Sequence, residues 1–140
     1  MPSLPSSFFV YGTLKRGQCR EHVWPCEPLS VKTAWLRGEL YSRVDYPALR
    51  SGEDRVQGEV WTFADHQLEQ VLPVIDAIEG TDGNRPDDLY HRFTVEAFEL
   101  SGSTLGQVMT YRYVRDPLSD GFVRLSPESP GTYVAWPASA

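Results

Sequence analysis

The sequence predicts an α+β protein, a small and mostly antiparallel β-barrel with one broken helical segment packed against it. Three observations lead there. Five segments of strand length are apolar or alternate in side-chain direction, one stretch alone repeats apolar residues at helical spacing, and most connections are short. The 140 residues, 41% of them hydrophobic, suffice for one domain with a real core and are few for two. Residues 1–140 are therefore expected to form a single domain with its core at about 7–136 and terminal extensions at 1–6 and 137–140.

Residues 7–11, SFFVY, form an apolar burst stopped by Gly12 and read as a buried first strand. AWLRGELY at 34–41 and RVQGEVWTF at 55–63 alternate, and the mid-pattern glycines Gly38 and Gly58 point to a bulge or a barrel corner. Asp65 is placed to cap a helix whose stripe is Leu68, Val71, Leu72, Ile75 and Ile78. Pro73 lacks the donor an interior turn needs, so the segment is expected to break near Leu72, with Gly80 as the C-terminal cap. In 91–100, Phe93, Val95 and Ala97 share one face; in 106–114, Met109, Tyr111 and Tyr113 oppose Val108, Thr110 and Val114. Two longer irregular stretches, 12–27 and 80–89, are where such a domain would hold a ligand. The tail from 126 reads as an extension that Tyr133 and Trp136 could dock onto the body. Trp24, Trp35, Trp61 and Trp136 are read as core residues, and no oligomeric state is drawn from them.

The net charge of −6, without a basic stripe, argues against nucleic acid as a partner. No apolar run approaches a membrane span, and residues 1–7 lack the pattern of a signal peptide, so a cytoplasmic protein is expected. Cys19 and Cys26, the only cysteines, are then expected to be reduced. With His22 they read C-x2-H-x3-C, but a closed zinc site needs four ligands and His66 and His91 lie far along the chain; no metal is expected. GTLKRG lacks the spacing of a phosphate loop and no G-x-G-x-x-G occurs, so no cofactor is expected either.

Two features can carry chemistry. Tyr11-Gly12-Thr13-Leu14 follows a buried strand, and its backbone N–H groups either form an anion-binding nest or belong to an ordinary turn. Glu79 sits in the last helical turn, where unpaired carbonyls disfavour a carboxylate and Asp76, three residues earlier, adds repulsion. It is either a carboxylate tuned for acid/base work or a solvated surface glutamate. No G-x-S-x-G elbow and no complete Cys–His constellation supplies a nucleophile. A single carboxylate and a nest fit a reaction in which the substrate brings its own nucleophile.

The chain resembles the gamma-glutamylcyclotransferase-like superfamily, which includes gamma-glutamylamine cyclotransferases and AIG2-like proteins. The resemblance rests on an ordered set of stretches: FFVYGTLKRG at 8–17, LRGELYSRVDYPAL at 36–49, VQGEVW at 56–61, VIDAIEG at 74–80, YHR at 90–92 and GTYVAW at 131–136. It implies a barrel with a pocket between the Y-G-T-L loop and the glutamate of the E-G pair. Glu79 would be the catalytic residue; the backbone of Tyr11, Gly12, Thr13 and Leu14 would hold the glutamyl portion of a small-molecule substrate. Tyr90 would close the pocket, while Arg92 braces the barrel or pairs a carboxylate. The implied reaction is attack of the substrate α-amine on its γ-amide carbonyl, releasing 5-oxoproline and a free amine or amino acid. The alternative is a non-catalytic module on the same fold that binds a small ligand or a protein. A glycosidase-like pair of Asp76 and Glu79 ranks below both, because residues three apart on a helix point the same way. The acidic 80–89 loop, with Asp82, Asp87 and Asp88 around Arg85, favours an amine-bearing leaving group, with Tyr46 and Pro47 beside it.

Overall fold

The computed structural model of the chain describes residues 5–129 and 131–136. Of the extensions expected at 1–6 and 137–140, all but Pro5 and Ser6 lie outside the described residues.

Among the described residues, seven strands and one α-helix follow one another as β1 (Ser7–Val10), β2 (Ser30–Ser42), β3 (Pro47–Thr62), α1 (Leu68–Glu79), β4 (Tyr90–Glu99), β5 (Thr104–Tyr113), β6 (Val123–Leu125) and β7 (Tyr133–Val134). The strands form one sheet in the order β6-β2-β4-β5-β1-β3-β7, and β2 also pairs with β3. That extra pairing closes β2, β4, β5, β1 and β3 into a five-stranded barrel, which leaves no open edge among them. Most ladders are antiparallel; β1 runs parallel to β5 at Phe8↔Met109, and β7 runs parallel to β3. The long β2–β3 hairpin runs from Ser30↔Thr62 to Ser42↔Pro47 and shifts register between Gly38 and Glu39, the bulge expected at Gly38.

β1 is apolar throughout because both of its faces are buried. Phe8 and Val10 pack with Trp61, Phe63, Val71, Ile75 and Met109 on the helix side, while Phe9 packs in the barrel interior with Leu36, Leu40, Val56, Val60 and Val108. The same division explains β5, where Met109, Tyr111 and Tyr113 join the first core and Val108 the second. The tail is part of the sheet rather than a loose extension. Tyr133 and Val134 pair with Arg55 and Val56, and Trp136, 7% exposed, donates from Nε1 to the Arg43 carbonyl.

Gly58 marks a close approach of two strands. A Cβ there would lie 2.4 Å from the Val10 carbonyl oxygen and 2.8 Å from Phe9 Cζ, so no side chain fits without moving β1. Gly58→Ala is expected to lower stability by about 1–3 kcal/mol, read as a lower urea midpoint with an unchanged slope. An unchanged midpoint would mean that β1 steps aside freely.

The helical segment differs from expectation in two respects. A 3-10 turn over Asp65–Gln67 leads directly into α1, which continues unbroken through Pro73 to Glu79. Pro73 lies on the exposed side, where water can satisfy the carbonyl that loses its donor, and buried Val71 and Ile75 anchor the helix on either side of it. Nor is Asp65 the cap: the Gln67 side chain accepts from the Ala64 N–H at 2.9 Å, and Asp65 is exposed. Gly80 ends the helix as expected, in the left-handed region at φ 73°, with Thr81 N–H bonded to the Asp76 carbonyl at 3.0 Å. Among the described residues no helix is long and apolar enough to cross a membrane.

Candidate active site

The loop after β1 is held by its carbonyl groups. Gly12 O accepts from Lys15 N–H at 3.1 Å, Thr13 O from Arg20 N–H at 2.9 Å, and Leu14 O from Trp24 Nε1 at 3.1 Å. Trp24 is fixed in turn by stacking on Trp61, with ring centroids 4.6 Å apart and planes 11° from parallel. Leu14 is 2% exposed and packs in the core beneath the helix. The N–H groups of Gly12, Thr13 and Leu14 have no acceptor among the described residues. The loop is thus fixed through its acceptors, with three successive donors left over among the described residues. Gly12 is required by space as well: a Cβ would stand 2.8 Å from Pro47 Cγ.

Glu79 reaches the same place from the helix. It continues the i, i+4 row of Val71 and Ile75, both fully buried against the barrel, so the helix turns it inward. The two meet at a cavity of about 200 Å³ whose lining includes Tyr11, Gly12, Thr13, Leu14, Glu79 and Tyr90, all six of the residues expected from sequence. Arg20, Tyr46, Pro47, Leu89 and Tyr111 also line it.

Burial is the main cause that raises the Glu79 carboxyl, from 4.5 to about 7. The positive charge of Arg20 pulls it down and the negative charge of Asp76 pushes it up. The repulsion from Asp76 expected from sequence is therefore present, but secondary to desolvation. Asp76 is itself held by Arg92, which pairs with its Oδ2, and by the Tyr111 hydroxyl, which donates to Oδ1 at 2.6 Å. Both of its oxygens are engaged on structural partners, so it offers no second carboxylate across a scissile bond. Arg92 pairs a carboxylate, as one of its two expected roles required.

The aromatic walls are fixed hydrogen-bond donors. Tyr11 donates to the Tyr111 carbonyl at 2.6 Å and Tyr90 to the Pro47 carbonyl at 2.8 Å. Burial first, and negative neighbours second, hold the phenols of Tyr11, Tyr90 and Tyr111 well above their ordinary range. They stay protonated and committed to these acceptors. Glu79 is left as the cavity group whose charge changes near neutral pH.

Sequence reasoning missed Arg20 and Tyr111. Tyr111 was assigned to a strand face, and that face is the one the cavity opens on; Arg20 lies in a loop whose path has no periodic signal. The acidic 80–89 loop corrects another expectation, because only Gly80 and Leu89 of that stretch line the cavity. Asp88 Oδ2 instead accepts from the N–H groups of Asp82 and Arg85, both at 2.8 Å, and from the Thr81 hydroxyl at 3.2 Å. It organises a turn. Asp82 pairs with Arg85 at 3.4 Å in solvent. Cys19 and Cys26 are free thiols, exposed and half-buried respectively.

Solved structures with similar folds come from distant organisms. An AIG2-like protein from Mus musculus is similar over 99% of each chain, with 20% identity and a TM-score of 0.60. A solution structure from Arabidopsis thaliana shares 26% identity over 83% of this chain and 75% of its own, with a TM-score of 0.58. YkqA from Bacillus subtilis shares 19% identity and a TM-score of 0.57 over 87% of this chain, which spans only 38% of that protein. None of the curated proteins matches the chain. The family described as "Gamma-glutamyl cyclotransferase, AIG2-like" matches residues 8–130, from β1 past β6. Sequence, barrel and cavity together give the conclusion that the chain belongs to the gamma-glutamyl cyclotransferase, AIG2-like family.

Proposed function

We propose that the protein cleaves γ-glutamyl amides by intramolecular cyclisation, releasing 5-oxoproline and the freed amine. The observation that carries this reading is Glu79, poised near pH 7 in a cavity it shares with three unpaired backbone donors. In the reaction, the substrate α-nitrogen forms a bond to the γ-carbonyl carbon and the bond from that carbon to the leaving nitrogen breaks. Counted from the α-ammonium, two protons leave the nucleophilic nitrogen and two reach the departing nitrogen, which leaves as an ammonium group, and water is not consumed.

Each residue has a physical task. Glu79, ionised above about pH 7, takes a proton from the α-ammonium and then returns a proton to the leaving nitrogen. The N–H groups of Gly12, Thr13 and Leu14 neutralise the substrate carboxylate or the oxyanion developing at the γ-carbonyl. Tyr11, Tyr90 and Tyr111 wall the cavity and hold the chain in a folded conformer, where cyclisation gains its effective molarity. A single base suffices because the nucleophile is part of the substrate. The site is placed in a single domain over residues 1–140, with its core at about 7–136.

The test is release of 5-oxoproline from γ-glutamyl amines, γ-glutamyl amino acids and glutathione. Saturable release from at least one class is expected. Saturable binding without product from any of them would favour the second reading, a ligand-binding module in which the pocket is kept and the chemistry is lost.

A further inference from the structure

Resting on the cyclotransferase reading, we propose that Arg20 is a specificity-determining residue, which receives a carboxylate carried on the departing amine. The cavity has a closed end and an open end. Tyr11, Leu14, Tyr90 and Tyr111 are buried, whereas Arg20 and Leu89 are exposed and mark the mouth. The glutamyl portion belongs at the closed end, where its α-ammonium meets Glu79. Whatever is attached beyond the γ-amide then points outwards, past Arg20.

Among the described residues, only two of the cavity's lining side chains are formally charged, Glu79 and Arg20. Glu79 is committed to the α-ammonium, and the donors of the Y-G-T-L loop to the glutamyl carboxylate or the oxyanion. That leaves a cation at the mouth with no ligand group yet assigned to it. Arg20 has no carboxylate within 4.0 Å among the described residues, unlike Arg43, Arg85, Arg92, Arg115 and Arg124. Its backbone is nevertheless fixed, because its N–H is bonded to the Thr13 carbonyl at 2.9 Å and the 3-10 turn Glu21–Val23 starts directly after it. On that fixed backbone, a guanidinium without a carboxylate partner among the described residues presents a planar fork that matches a carboxylate. The carboxylates that would have favoured an amine-bearing leaving group, Asp82, Asp87 and Asp88, do not line this cavity.

The experiment compares γ-glutamyl-alanine with γ-glutamyl-ethylamine, which differ by the leaving-group carboxylate alone. The readout is the ratio of their kcat/KM values at pH 8.5, where Glu79 is ionised, so that any effect of Arg20 on Glu79 cancels. Wild type is expected to favour the alanine conjugate by roughly threefold to fivefold, as an ion pair at an exposed mouth allows. Arg20→Gln should bring the ratio close to one, and Arg20→Lys should restore part of it. A wild-type ratio near one, or a ratio that Arg20→Gln leaves unchanged, would overturn the proposal. Equal losses on both substrates belong to the second case and would assign Arg20 to the glutamyl portion. If neither compound yields 5-oxoproline, the cyclotransferase reading fails separately, and the same pair is compared by calorimetry. Tighter binding of the alanine conjugate, lost in Arg20→Gln, would still support selection by Arg20; equal binding would overturn it.

Discussion

Glu79→Gln is expected to lower kcat by roughly 10²–10⁴-fold while binding of 5-oxoproline changes little, since the amide keeps the shape and loses only the base. In wild type, kcat/KM should rise with pH along a limb with its midpoint at about 7, the pH at which the buried carboxyl ionises. The same substitution should make the protein more stable at alkaline pH. A carboxyl raised from 4.5 to about 7 on folding binds its proton more tightly in the folded state. Stability therefore falls as pH rises through that window, and above it the full cost of burying the charge applies, of order 3 kcal/mol. Glutamine carries no charge, so at pH 8 its melting temperature should exceed that of wild type by up to roughly 10 °C for a chain of this size. At pH 4 the difference should vanish. Equal melting temperatures at pH 8 would mean that the carboxylate is solvated, and the basis for its catalytic role would go with it.

The second large effect concerns Gly12. A Cβ there would stand 2.8 Å from Pro47 Cγ and 2.9 Å from Cδ, and neither contact can relax by a rotamer change because the proline ring is rigid. Pro47 begins β3, and its carbonyl is held by the Tyr90 hydroxyl. The loop must therefore move instead, and with it the N–H groups of Gly12, Thr13 and Leu14. A displacement near 1 Å of groups that orient a substrate can cost on the order of 10²-fold in rate. Gly12→Val is expected to weaken 5-oxoproline binding at least tenfold, measured by calorimetry, and to lower kcat/KM by about two orders of magnitude. Circular dichroism should show the barrel intact. Unchanged binding and turnover would remove the loop from the site.

Much of this arrangement was legible in the sequence because it rests on period. The double-sided burial of β1 made residues 7–11 a continuous apolar run, and the bulge at Gly38 announced itself as a glycine within an alternating strand. Pro73 misled because the rule against interior proline presumes a carbonyl hidden from water, whereas here the affected side is exposed. The stripe of Val71 and Ile75 carries one residue beyond the apolar pattern. Four residues further on, it places Glu79 on the buried row, which settles the orientation that the C-terminal position alone left open. Arg20 had no such signal: its place at the cavity depends on how Trp24 and Leu14 fold the 12–27 loop back onto the barrel. The charges of 80–89 were readable as charges but not as turn-forming acceptors, since only the folded loop brings Asp88 against the N–H groups of Asp82 and Arg85.

The most direct test of intramolecular cyclisation is the identity of the acid product formed in water enriched with oxygen-18. Attack by the substrate's own α-amine predicts 5-oxoproline without solvent oxygen, in a one-to-one ratio with the released amine. Glutamate carrying one oxygen-18 in its new γ-carboxylate would show that water is the nucleophile, and would contradict the role given to Glu79 and the loop opposite it.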